Sequence, residues 1–149
     1  MPTRTAKTIW NGAPDETGEI RFVTSSAPTV TYTRTGRTNA RANGSVTPEE
    51  LLAAAHASCF ALELSSLIGG AGGAVQQLDV TADATLSEDR AGRTSIDAVV
   101  LEVTGEVSGL SAGRFRELAD SAGHTCPMSR ALADVVVTVE ASIDSVEPH

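Results

Sequence analysis

Residues 47–70 read TPEELLAAAHASCFALELSSLIGG, a stretch that predicts a central helix. Thr47 is suited to cap the first free amides, Pro48 suits the first helical position, and Glu50 completes a capping box with Thr47. Alanine and leucine fill the interior, and the terminal Gly69-Gly70 pair supplies a left-handed residue that ends the helix. Because the segment is apolar almost all round, we expect a helix buried on most of its sides.

Cys59 lies in the middle of this helix, and its neighbours follow from a rotation of about 100° per residue. Glu49, ten residues earlier, lies roughly 80° round the helix from Cys59, whereas Glu50 points roughly to the opposite face. His56, three residues before Cys59, is a neighbour on the side of the thiol. We therefore expect Glu50 to cap the helix and Glu49 to face the side of Cys59.

Length and composition indicate a single globular domain over residues 1–149, with 41% hydrophobic residues. No run of membrane-spanning length is expected, and the basic N-terminal residues are not followed by an apolar segment, so we expect a cytoplasmic location. The formal net charge of -8 argues against nucleic acid or an anionic membrane as a partner. Two cysteines are too few for a structural zinc site, and they indicate either buried hydrophobic side chains or a redox pair.

The rest of the chain alternates between strand-like and helix-like patterns. Strands are predicted at residues 5–10, 19–24, 29–34, 78–86, 94–107 and 134–143. A second helix is predicted from Ser111 to a break at Gly123-His124-Thr125, followed by a short helix at 126–132, and residues 35–46 predict a loop. This order predicts an α+β fold with antiparallel β-sheets around buried central helices.

A cysteine reacts as the thiolate, so a reactive Cys59 requires a cation or a hydrogen-bond donor that lowers its pKa. An arginine from the loop before the helix, held by Glu49, would meet that need. Cys126 is predicted to lie near the free amides that begin its own short helix. That position suits a second thiol that attacks or leaves in thiol–disulfide exchange.

Two widely spaced cysteine motifs are PEELLAAAHASCF at residues 48–60 and CPMS at residues 126–129. Together they closely resemble the paired cysteine motifs of the OsmC/Ohr family of thiol-dependent peroxidases. The His-Ala-Ser-Cys-Phe form is similar to the OsmC branch, and Trp10-Asn11-Gly12 resembles the opening strand of the family. The resemblance covers most of the chain in the right order.

The resemblance implies an intertwined homodimer in which each active site draws residues from both subunits. By position, Cys59 is the peroxidatic thiol, Cys126 is the resolving thiol, and Glu49 orients a catalytic arginine. The candidates for that arginine are, in order of preference, Arg37, Arg41 and Arg34. The implied reaction reduces organic hydroperoxides, and hydrogen peroxide less well, through a Cys59 sulfenic acid and a Cys59–Cys126 disulfide, in oxidative or osmotic stress defence. It uses an external thiol or dithiol reductant, with no bound cofactor and no metal.

Two interpretations from other classes stay open. One is a non-catalytic module of the same fold that binds a small molecule or lipid and whose Cys59 is inert. The other is a cysteine hydrolase that uses Cys59 and His56, although a nucleophile and a base on one helical turn seldom reach good hydrogen-bond geometry. We expect His56 to be a hydrogen-bonded packing residue. A metal site at His56, Cys59 and His124 lacks the usual ligand spacing.

Overall fold

The structure, a computed structural model, describes residues 1–12, 17–38 and 45–144. The elements are β1 (Ala6–Trp10), β2 (Thr17–Phe22), β3 (Val30–Thr33), α1 (Arg34–Thr38), α2 (Pro48–Gly70), β4 (Ala74–Glu88), β5 (Thr94–Ser108), α3 (Ala112–Thr125), α4 (Pro127–Ala131) and β6 (Val136–Asp144). This is the predicted α+β class. The contacts divide the chain into two compact units, Met1–Leu51 and Leu52–His149. A single domain over 1–149 stays a prediction.

The first unit contains an antiparallel sheet in the order β1-β2-β3. Gly18 on β2 pairs with Trp10 on one side and Tyr32 on the other, and the two aromatic rings lie 5.5 Å apart. A Cβ at Gly18 would come within 2.5 Å of the Tyr32 ring and 2.8 Å of the Trp10 ring. Glycine is therefore required at this position, because both rings cover its backbone.

The helix α1 corrects the loop predicted for residues 35–46. The Thr33 hydroxyl accepts a hydrogen bond from the Gly36 amide at 3.0 Å, so Thr33 supplies a capping interaction for this short turn. Glycine and threonine have low helix propensity, and for that reason composition alone predicted a loop. The remainder of that loop at residues 39–44, including Arg41, lies outside the described residues.

The second unit contains a sheet in the order β4-β5-β6. The β4–β5 pair is antiparallel as predicted, whereas β6 runs parallel to β5, so the predicted antiparallel sheets contain one parallel pair that the sequence did not predict. The reason lies in the connection, since α3 and α4 intervene between β5 and β6. A helical crossover returns the chain to the same end of the sheet, so the next strand runs parallel.

The helix α3 packs its apolar side on this sheet and continues to Thr125, beyond the break predicted at Gly123. Gly123 is buried, and a Cβ there would approach the Val139 side chain of β6 to 2.5 Å. Likewise, a Cβ at Gly105 of β5 would approach the Phe115 ring of α3 to 2.7 Å. Gly123 therefore serves the close approach of helix and strand, and it does not end the helix.

The cap of α2 is confirmed, because the Glu50 amide donates to the Thr47 hydroxyl at 3.1 Å. The expectation that α2 is buried on most sides is wrong for the single chain. Its fully buried side chains follow one stripe at four-residue spacing, namely His56, Phe60, Leu64 and Ile68. Leu62, on another side, is 74% exposed. The single chain therefore covers only one narrow stripe of this helix.

By length and composition alone, α2 is also apolar enough to cross a membrane, which corrects the expectation that no such run exists. Core helices of soluble proteins meet the same criterion.

A pair of matched substitutions tests this core. Val103 on β5 is fully buried, whereas Val136 on β6 is 67% exposed. We expect Val103→Ala to lower the free energy of unfolding by about 2 to 3 kcal/mol, through lost burial and the cavity left behind. The same change at Val136 should cost less than about 1 kcal/mol. Urea denaturation of both variants measures the difference, and equal losses would contradict the described packing.

Candidate active site

The second unit brings together the two cysteines predicted from the motifs. Cys59 is half-buried in the middle of α2, and Cys126 is fully buried between α3 and α4. Both are free thiols, and they are close enough for the Cys126 thiol to raise the pKa of Cys59. The two sequence motifs therefore meet at one place in the fold.

Cys126 is held by the ends of two helices. Its amide donates to the Ala122 carbonyl at 3.0 Å and so completes the last turn of α3. Its Sγ accepts a hydrogen bond from the Ser129 amide at 3.3 Å and so caps the first turn of α4, in which Pro127 occupies the first position. These contacts fix the thiol from both directions, which agrees with its predicted place near a helix start.

The surroundings of Cys59 raise its pKa, first through burial and then through the neighbouring Cys126 thiol and the Glu63 carboxylate. The backbone amide of Met128 donates to Cys59 and acts in the opposite direction. Glu63 is itself held by the Thr125 hydroxyl at 2.7 Å. The net effect raises the pKa of Cys59 and favours the thiol over the thiolate.

A buried chain of polar side chains continues from Cys126 to His56. The Cys126 Sγ lies 3.1 Å from the Ser129 Oγ, and that oxygen lies 2.8 Å from the His56 Nε2. His56 is fully buried, and burial lowers its pKa, so the neutral imidazole is favoured. Its Nδ1 has no hydrogen-bond partner among the residues that the structure describes.

Sequence reasoning expected a hydrogen-bonded His56 but assigned no role to Ser129. The described hydrogen bond of His56 leads to Ser129 and not to Cys59. One signal could have identified Ser129: it stands three residues after a cysteine at a helix start, where a backbone amide reaches the capping side chain. The link from Ser129 to His56 joins α4 to α2 and has no local sequence signal.

The first unit holds the other two predicted site residues. The Arg37 Nε of α1 donates to the Glu49 Oε1 of α2 at 2.7 Å. The Glu49 side chain is 11% exposed, and the Arg37 side chain is 45% exposed. A carboxylate that accepts from Nε fixes the plane of the guanidinium, as expected for an orienting pair. The catalytic role of either residue stays a prediction.

Arg37 also borders a cavity of about 250 Å³ in the first unit. Its lining residues are Trp10, Tyr32, Thr33, Arg34, Arg37 and Pro48. Aromatic rings and arginine side chains therefore line the same cavity, and one of these arginines is Arg34, the third candidate. Within the part of the chain that the structure describes, no group of three His, Cys, Asp or Glu side chains could hold a metal ion.

The chain is an α+β protein with one thiol on a long helix and a second, neighbouring thiol at a helix junction. A family model described as OsmC-like protein matches residues 41–140, and the chain belongs to this family. The family predicted from the motifs is thereby confirmed.

Peroxiredoxin OsmC of Escherichia coli K12 is 39% identical over 85 residues, which cover 57% of this chain. The match spans 59% of that relative's length.

Solved structures resemble the chain over almost its whole length. An organic hydroperoxide resistance protein from Elizabethkingia anophelis matches with a TM-score of 0.78 and 20% identity, over 97% of this chain and 98% of its own. An OsmC-like protein from Vibrio cholerae matches with a TM-score of 0.77 and 19% identity, over 95% of this chain and 99% of its own. At these identities the likeness shows the fold, and it confirms the predicted OsmC-like architecture.

The buried imidazole predicts a pH dependence of stability. Because the pKa of His56 is lowered by folding, the unfolded chain binds more protons below about pH 6.5, and the free energy of unfolding falls as the pH falls through that value. His56→Gln removes this contribution, so the stability difference between wild type and variant should shrink from about pH 7.5 to about pH 5.5. Urea denaturation across this range measures it. His124→Gln, at an exposed histidine, is the matched control, and a pH-independent difference for His56→Gln would contradict the assignment.

Proposed function

We propose that the protein is a thiol-dependent peroxidase that reduces organic hydroperoxides, and hydrogen peroxide less well. The observation that carries this proposal is the neighbouring pair of free thiols, Cys59 and Cys126, in a chain of the OsmC-like family. The E. coli relative is named a peroxiredoxin, and the E. anophelis neighbour is named an organic hydroperoxide resistance protein. Both names support the same chemistry.

The reaction follows from the two thiols. The Cys59 thiolate attacks the outer peroxide oxygen, the O–O bond breaks, and the alcohol leaves after taking a proton, so that Cys59 becomes a sulfenic acid. Cys126 then attacks the Cys59 sulfur, an S–S bond forms, and water leaves. Two equivalents of an external thiol, or one dithiol, reduce the disulfide and are themselves oxidised to a disulfide.

Activation of Cys59 is assigned to Arg37. Burial, Cys126 and Glu63 raise the Cys59 pKa, so a cation is needed to favour the thiolate. Arg37 has its Nε bound to Glu49, which supports the role of Glu49 as the residue that orients the guanidinium. Arg37 is preferred because its Nε forms an ion pair with Glu49 at 2.7 Å, and Arg41 lies outside the described residues.

A homodimer is part of the proposal. The single chain covers one stripe of α2 and leaves Leu62 74% exposed, and a second copy would bury further apolar surface of this helix. The family resemblance implies that each active site draws residues from both subunits, and we assign the Arg37 and Glu49 that act on each Cys59 to the second subunit. We also predict a cytoplasmic location, no nucleic-acid or membrane partner, and a mechanism that uses neither a metal nor a bound cofactor.

The non-catalytic alternative has one supporting observation, the cavity that Trp10, Tyr32 and Arg34 help to line. The hydrolase alternative has less support, because the described hydrogen bond of His56 leads to Ser129. A peroxide assay separates these hypotheses.

The first test follows free thiol in the reduced protein after one equivalent of cumene hydroperoxide or hydrogen peroxide. We expect loss of both thiols, faster with cumene hydroperoxide, because the sequence on either side of Cys59 in α2 is rich in alanine, leucine and phenylalanine. Cys59→Ser should abolish the reaction, whereas Cys126→Ser should stop at the sulfenic acid, which dimedone traps. If both thiols survive for minutes in the wild type, the peroxidase proposal is wrong and the binding module takes its place.

The role of Arg37 has its own test. Arg37→Ala should lower the second-order rate constant of Cys59 oxidation by about 10- to 100-fold, since each unit of increase in the thiol pKa lowers the thiolate fraction about tenfold. Arg21→Ala is the matched control, because Arg21 forms an exposed ion pair with Glu19 in the same unit. Equal rate constants for the two variants would exclude Arg37 as the activating cation.

Assembly is tested by sedimentation of the reduced protein. We expect a mass of twice the chain mass of 15.3 kDa. Leu62→Glu places a charge on the apolar surface and should shift the population toward the single chain, with a loss of peroxidase activity. Glu102→Ala, at an exposed position on β5, is the control for a change in surface charge. A fully active single chain would contradict the assignment of Arg37 and Glu49 to the second subunit.

A further inference from the structure

The proposed peroxidase cycle assigns no function to two buried and hydrogen-bonded side chains, His56 and Ser129. The residues that the cycle uses are Cys59, Cys126, Arg37 and Glu49. Buried polar side chains are costly unless they are paired, and a fully buried histidine with one nitrogen unpaired among the described residues is unusual in a helix core. The Nε2 of this histidine is connected through Ser129 to the Cys126 thiol.

The two hydrogen bonds that join Cys126, Ser129 and His56 can each be donated from either side. The Ser129 amide donates to the Cys126 Sγ at 3.3 Å, so the sulfur accepts a hydrogen bond on that side. In one order of donors, the Cys126 S–H donates to the Ser129 Oγ, 3.1 Å away, and the Ser129 O–H donates to Nε2 of a neutral imidazole, 2.8 Å away. In that order the three groups form a directed path from thiol to imidazole, and the proposal below uses it.

We propose that this path removes the proton from Cys126 when the disulfide forms, with Ser129 passing the proton and His56 accepting it. The inference rests on the proposed peroxidase function and extends it to the second chemical step. Ser129 touches the reacting sulfur and is therefore a catalytic residue. His56 acts through Ser129 and is a positioning residue and proton acceptor.

The step balances in protons and electrons. The Cys126 S–H gives its proton to the Ser129 Oγ as the Ser129 O–H gives its own proton to the His56 Nε2. The Cys126 thiolate attacks the sulfur of the Cys59 sulfenic acid, the S–S bond forms, and the S–OH bond breaks. The hydroxide that leaves is protonated to water, and the imidazolium loses one proton to restore its neutral form. The hydroperoxide consumed in the first step is the oxidant, and no further reagent is required.

Burial explains why a local acceptor is needed. Cys126 is fully buried and Ser129 is 8% exposed, so bulk water does not reach the thiol directly. An isolated thiolate in that place would be costly, whereas a thiolate and an imidazolium joined through one hydroxyl remain a neighbouring pair of opposite charges. Burial lowers the pKa of His56, so the imidazole is neutral before the step and one of its nitrogens has a lone pair that can accept the proton.

The kinetic test separates the two chemical steps. Sulfenic acid formation is followed by dimedone trapping and mass spectrometry, and disulfide formation by loss of the trappable species. Ser129→Ala and His56→Gln should keep the first rate constant within about twofold and slow disulfide formation by about 10- to 100-fold. Ser129→Thr keeps a hydroxyl and should restore most of the second rate constant.

His124→Gln is the matched control for His56→Gln, because His124 is exposed and bonds to the Asp120 carbonyl of its own helix. Disulfide formation at the wild-type rate in Ser129→Ala would overturn the proposal. Equal slowing of both steps would also overturn it, because a residue that only supports packing would disturb Cys59 as well. Ser129→Ala removes a single oxygen atom, so it decides the question even if His56→Gln fails to fold.

A second measurement needs no peroxide. In the Cys59→Ser background, the infrared S–H stretch reports Cys126 alone, and it should lie at the low frequency of a donating thiol. Ser129→Ala should raise that frequency, and a band that does not move would overturn the proton path. The wild-type protein could fail to react with peroxide even though the band moves. That result would contradict the proposed function and, with it, the catalytic role of the proton path. It would still support the hydrogen bond between Cys126 and Ser129.

Discussion

Cys126 lies at the junction where one helix ends and the next begins. The positions of the groups around the two thiols depend on the hydrogen bonds that Cys126 makes to both helices. Its amide completes α3 through the Ala122 carbonyl, while its Sγ caps α4 through the Ser129 amide. The Met128 amide and the Ser129 hydroxyl come from the same turn, and they are the groups that reach Cys59 and His56. One short junction therefore positions a thiol, a hydrogen-bond donor to the other thiol and a hydroxyl next to the buried imidazole.

The electrostatics of the second unit oppose the ionisation of Cys59. Burial and two neighbouring groups raise the pKa of Cys59, and a backbone amide opposes them. The first unit contains an arginine whose orientation is fixed by a nearly buried carboxylate. The proposed mechanism needs such a cation, because a cation lowers the pKa of a thiol and so favours the thiolate.

Local features of the sequence predicted a large part of this fold. The Thr47 cap, the antiparallel β4–β5 pair and the Arg37–Glu49 pairing follow from short-range patterns or from a motif. The parallel β6 was missed because strand direction depends on the crossover and not on the strand sequence. Gly123 was misinterpreted because glycine permits a close helix–strand contact as readily as a helix end. Ser129 was missed because its partner His56 is distant in sequence and becomes a neighbour only in the folded chain.

The parallel pairing of β6 with β5 also bears on the order in which the chain folds. The β4–β5 hairpin is local and can form early, whereas β6 pairs with β5 only after α3 and α4 have returned across the sheet. Cys126 lies inside that crossover, while Cys59 precedes the hairpin. We therefore expect the two thiols to meet late in folding, when the segments that are distant in sequence come together.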